Sequence, residues 1–81
     1  MSQLTHDLRG EINAISLLLA IIERPYHPTA IEADQRMGQY KEVIDRAQGG
    51  NATDAEVETA ITDAKEFVVR LKQEFAEASL P

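Results

Sequence analysis

Apolar residues recur every three or four positions along most of this chain, with polar residues between them. That spacing marks one face of an α-helix, not the strict alternation of a half-buried strand. In the first stretch the stripe is Leu4, Leu8, Ile12, Ile15, Leu19 and Ile22. It predicts a helix from about Ser2 to Arg24, ended ahead of Pro25 because the residue before a proline is pushed out of the helical region. Leu17, Leu18 and Ile21 widen the apolar surface well beyond the stripe. A helix that is apolar most of the way round is normally buried on several sides. One short protomer cannot easily cover it, so this half of the chain predicts self-association.

Pro25-Tyr26-His27-Pro28 reads as a stiff turn. Thr29 is expected to open a second helix, because Thr29-Ala30-Ile31-Glu32 spells a capping box in which hydroxyl and carboxylate satisfy each other's backbone N–H groups. Ala33, Met37, Tyr40, Ile44 and Ala47 form the inner face of this helix, which ends at Gln48, where Gly49 or Gly50 supplies a left-handed cap. A second capping box, Thr53-Asp54-Ala55-Glu56, starts a third helix that runs to about Ala78. There Val57, Ile61, Ala64, Val68, Leu71, Phe75 and Ala78 keep an unbroken four-three spacing, the seam of a coiled-coil-like bundle. Glu58, Asp63, Lys65, Glu66, Lys72, Glu74 and Glu77 fall outside the seam and read as a solvated surface. The expected architecture is all-α, with three helices per chain. Helices one and three are expected to form a helical hairpin that dimerises into a four-helix-bundle-like core.

The length of 81 residues allows a single domain spanning 1–81. A core of that size supplies about 3–5 kcal/mol of net stability, and pairing with a second copy is a common supplement. The chain has no cysteine, so no disulfide staples it and no thiolate binds a metal. A net charge of −6 argues against nucleic acid as a partner, because phosphate neutralisation needs a basic face. The apolar run from Ile15 to Ile22 is too short to span a bilayer, which takes about 20 apolar residues. It also lacks the basic lead-in and cleavage site of a signal peptide. These features predict a cytoplasmic protein with no membrane partner. The Met-Ser opening and the Ala78-Ser79-Leu80-Pro81 ending read as those of a complete natural chain.

Candidate chemistry concentrates in Thr5-His6-Asp7-Leu8-Arg9-Gly10-Glu11-Ile12-Asn13. At about 100° per residue, His6 falls opposite the centre of the first apolar stripe, in line with Gly10 and Asn13. An exposed imidazole can accept a phosphoryl group through its unprotonated nitrogen while the other nitrogen is held by a hydrogen bond. Asp7 is a candidate base or electrostatic partner, and Arg9, one turn on, a candidate contact for phosphate oxygens. Gly10 leaves room for an approaching partner, at about 1 kcal/mol of helix stability relative to alanine. His27 lies in the proline turn, with no partner assigned to it.

The run His6-Asp7-Leu8-Arg9-Gly10-Glu11-Ile12-Asn13-Ala14-Ile15 resembles the phosphoacceptor box of sensor histidine kinases, commonly His-Glu-Leu-Arg-Thr-Pro-Leu-Asn-Ala-Ile. That box belongs to the dimerisation and histidine-phosphotransfer domain, a helical hairpin that pairs into a four-helix bundle. The likeness extends as far as Leu17-Leu18-Leu19; beyond it the chain is similar only in being helical. The resemblance implies His6 as phosphoacceptor, Asp7 as the acid assisting transfer, and Arg9 and Asn13 as residues near the site. Gly10 stands where many members carry the threonine or asparagine that positions water, so phosphatase activity is not implied. Glu11 replaces the usual proline and its helix kink. The helix from Thr29 to Gln48 is extra to a hairpin, and the lead-in before His6 is short. No ATP-binding domain with glycine-rich boxes is present, so ATP-dependent autophosphorylation is not expected.

Two functional readings follow, beside a third in which the chain is a small helical oligomer and the box is coincidental. In the first, the chain is a standalone histidine phosphotransfer protein of a two-component system. It exchanges a phosphoryl group between His6 and a response-regulator receiver aspartate, with Mg²⁺ supplied by the receiver and no cofactor of its own. In the second, it is a non-catalytic mimic of a kinase bundle that binds a receiver domain or a histidine kinase and modulates signalling.

Overall fold

A computed structural model describes residues 3–79, with side chains described as far as Phe75. The expected start at Ser2 and the expected roles of Glu77 and Ala78 therefore lie outside the described residues or side chains. Three helices make up the described chain: α1 (Gln3–Ile22), α2 (Pro28–Gln48) and α3 (Asp54–Ser79). All three pairs of helices are in contact, and α1 packs most extensively on α3. The all-α class and the three-helix count match the periodicity. The helix extra to a hairpin is a full member of the core, touching both of the others.

The apolar stripes meet along the bundle axis. Leu8, Ile15 and Leu71 are fully enclosed, with Val57, Phe67 and Tyr40 almost so. Burying an aliphatic or aromatic side chain of this kind stabilises by about 1.5–3 kcal/mol, and the sum of such burials holds three otherwise marginal helices together. The stripe on α1 also takes in Thr5, which is buried although its polar side chain kept it out of the apolar pattern.

Two helix ends differ from expectation. α1 stops at Ile22 because Glu23 adopts the left-handed region (φ 54°), and its N–H bonds the Leu19 carbonyl at 3.1 Å. This is the single-bond form of the left-handed cap, here without glycine, at about 1–2 kcal/mol of strain. The stop thus precedes Arg24 and is made locally, ahead of Pro25. α2 does not open at Thr29. His27 is the N-cap, extended ahead of Pro28 (φ −65°, ψ 136°), and its Nδ1 accepts the Thr29 N–H at 3.1 Å. Pro28 takes the first helical position, where its missing N–H costs nothing. The first capping box is therefore not formed. Thr29 Oγ1 donates to Glu74 Oε1 at 2.6 Å, and Glu32 turns to two arginines.

The other two ends follow the sequence. α2 closes with Asn51 N–H on the Arg46 carbonyl and Gly50 N–H on the Ala47 carbonyl, the paired bonds of a Schellman cap. Gly50 occupies the left-handed position (φ 79°) that such a cap requires. At α3, Thr53 Oγ1 accepts the Glu56 N–H at 3.2 Å. Asp54 and Glu56 lie in the first turn, where the helix dipole favours negative charge.

Asp63 and Glu74, read as part of a solvated face, are tied to α2. Arg36 donates to Asp63 at 2.7 Å and to Glu32 at 2.8 Å, and the Tyr40 hydroxyl bonds Asp63. Arg70 reaches across to Glu32 at 2.7 Å. The guanidinium groups of Arg36 and Arg70 lie 4.8 and 5.4 Å from the centre of the buried Phe67 ring. These contacts join α2 to α3 through charge-assisted hydrogen bonds and cation–π stacking.

Candidate functional site

The outer side of α1 carries the candidate residues because the core takes the opposite side. With Leu8, Ile12 and Ile15 turned inward, the positions half a turn away must face water. His6, Gly10, Asn13, Leu17 and Ile21, spaced four, three, four and four apart, make one exposed stripe. Its first half is polar and holds the imidazole. Its second half is apolar, with Leu17 66% and Ile21 62% exposed.

His6 stands in solvent, and among the described residues its ring has no hydrogen bond or ion pair. Asp7 is not joined to it. The Asp7 carboxylate instead accepts from Gln3 Nε2 at 2.9 Å, one turn back on α1. Gly10 lies one turn beyond His6, and a Cβ placed there meets nothing within 4 Å. Among the described residues no contact requires glycine at this position. Its absent side chain leaves the helix surface beside the imidazole bare, and Gly38 on α2 is equally open.

Arg9 and Asn13 are neighbours one turn apart on α1 and share a feature the sequence did not signal. They line a cavity of about 350 Å³ between α1 and α2, with Lys41 and Asp45 on the far wall and Ile12 and Ile44 among its lining. Lys41 and Asp45 have no motif around them, and only the packing of α2 against α1 sets them beside Arg9. Among the described residues no group of three histidine, aspartate or glutamate side chains is placed to hold a metal ion. No described helix is long and apolar enough to cross a membrane.

His27 proves to be structural. Besides capping α2, its ring meets Phe75 edge-on with centroids 4.8 Å apart, and its Nε2 lies 3.9 Å from Glu74 Oε1.

No family model, curated protein or solved structure matches the chain. The likeness of residues 6–15 to a phosphoacceptor box therefore rests on those residues alone.

Proposed function

We propose that this chain is a histidine phosphotransfer protein of two-component signalling, with His6 as the phosphoacceptor. The observation that carries the proposal is the placement of His6: exposed, without a hydrogen-bond or ion-pair partner among the described residues, and followed one turn on by a glycine that no described contact demands. A ring nitrogen of His6 attacks the phosphorus of a receiver's aspartyl phosphate. The N–P bond forms as the P–O bond to the receiver carboxylate breaks, that carboxylate leaves, and the second ring nitrogen sheds its proton to water or to a nearby base. Arg9 and Asn13 flank the acceptor. Mg²⁺ held by the receiver neutralises the phosphoryl oxygens, as such transfers require. Asp7, bonded to Gln3, supports the imidazole through its charge.

Homodimerisation belongs to the same proposal. Leu17 and Ile21 are large, apolar and exposed on α1, and a second copy covering them would add the buried area that a core this small lacks. His6 lies three turns away on the same stripe and stays open in such a pair.

Incubation with a phosphorylated receiver domain tests the transfer. Wild-type chain takes up label that acid releases, the behaviour of phosphohistidine, and His6→Gln takes up none. Equal labelling of the two removes the proposal.

The engagement of Asp7 by Gln3 favours the second reading, a non-catalytic binder of a receiver or kinase, because it draws the carboxylate toward the neighbouring turn. The two separate on His6→Ala: a binder keeps its effect on signalling, and a phosphoacceptor loses it.

A further inference from the structure

The cavity between α1 and α2 places two cations from different helices around one opening. Arg9 comes from α1 and Lys41 from α2, and Asn13, one turn beyond Arg9 on α1, shares the lining. Among the described residues neither cation has an ion pair or side-chain hydrogen bond. Among the described residues Arg36, Arg46 and Arg70 are paired with carboxylates, while Arg24, Lys65 and Lys72 are unpaired too but do not line this cavity. Asp45 is the one acid lining the cavity, and it too is unpaired, so two positive charges face one negative in a chain whose net charge is −6. Buried Ile12 and Ile44 contribute apolar wall, while Arg9, Asn13, Lys41 and Asp45 are themselves exposed and reachable from solvent. His6 is three residues before Arg9, so the two side chains are neighbours on the helix surface.

The geometry points to this cavity as an oxyanion cradle for a phosphoryl group, with Arg9 and Lys41 as its charged arms and Asn13 as a hydrogen-bond donor. The cradle deepens the phosphotransfer reading and rests on it for its purpose: it holds the phosphoryl oxygens beside His6 during transfer. Lys41 is then a positioning residue contributed by the helix that a simple hairpin would lack. Asp45 opposes binding and keeps the site weak enough to release its charge.

The test titrates inorganic phosphate into the full chain at constant ionic strength and follows backbone and side-chain resonances. Saturable shifts with one shared midpoint are expected at Arg9, Asn13 and Lys41, and not at the exposed Lys65 and Lys72 of α3. Lys41→Gln weakens the midpoint about two- to fivefold, the usual size of one exposed charge contact. Lys41→Arg retains it, and Asp45→Asn tightens it. Shifts that never saturate, that spread over all the lysines, or that are unchanged in Lys41→Gln overturn the cradle. A second arm labels the same variants with phosphoramidate, whose P–N bond breaks with loss of ammonia as the His6 N–P bond forms. Localised phosphate binding without labelling leaves the cradle standing and removes the phosphoacceptor role of His6. Labelling at equal rates in wild type and Lys41→Gln, without localised binding, does the reverse.

Discussion

The two flanks of α2 treat charge in opposite ways. Toward α3, the side chains of Thr29, Glu32, Arg36 and Tyr40 join Asp63, Arg70 and Glu74 in a line of hydrogen bonds, continued further along by Arg46 with Glu56. Toward α1, Lys41 and Asp45 face Arg9 and Asn13 across a cavity, and among the described residues none of the three charges is paired. The same helix therefore contributes a closed polar seam on one side and an open one on the other. A charge answered within the chain serves the fold, while one left open beside a cavity is available to something from outside. The exposed imidazole of His6 is on the open side.

Core and seam should give the largest response to mutation. Phe67 is buried and carries both Arg36 and Arg70 on its ring, so Phe67→Ala is expected to cost about 3–5 kcal/mol in denaturant unfolding. A loss below 1 kcal/mol would show that the seam is not anchored there.

Alkali should open the same seam next. Burial, followed by the hydrogen bond to Asp63, pushes the Tyr40 hydroxyl up to about 12 from its ordinary 10.0. Because the folded value lies above the unfolded one, the associated stability is fully present below pH 10 and is lost as pH rises through 12. About 2–3 kcal/mol is at stake, and Tyr40→Phe should flatten this part of the stability–pH profile. At the acid end the sign reverses. The hydrogen bonds from Arg70 and then Arg36 hold the Glu32 carboxyl below its ordinary 4.5. Its contribution is present above that value and fades as pH falls through the depressed one, an effect that Glu32→Gln should abolish.

The smallest changes in stability belong to the open flank, where they sharpen the contrast. Gly10→Ala should stabilise the chain by up to about 1 kcal/mol, because the added methyl meets nothing and the helix gains a better former. If the bare surface serves a partner, the same variant slows receiver-dependent labelling while raising the melting temperature. His6→Gln and Lys41→Gln should leave stability within about 0.5 kcal/mol of wild type. A destabilisation above 1 kcal/mol by either would place that residue in the fold and collapse the distinction between the flanks.

Much of the open flank was legible along the chain. The stripe from Leu4 to Ile22 set which way α1 turns, and the exposure of His6 followed from counting 100° per residue. The closed flank was not legible. Asp63 and Glu74 sit on α3 among other charges and look no different from Lys65 or Lys72. What separates them is their nearness to Arg36 and Thr29, dozens of residues away in sequence. The capping box at Thr29 failed for the same reason: Glu74 drew the hydroxyl and Arg36 and Arg70 drew Glu32, leaving His27 to cap the helix.

The sequence by itself determined three helices, their inner faces, the glycine cap after α2 and the outward position of His6. All of these depend on periodicity and on contacts within a turn or two. Only the tertiary structure decided which charges are answered and that Lys41 shares a cavity with Arg9. Those outcomes depend on how each helix is rotated and slid against its neighbours, which a repeating apolar pattern leaves open.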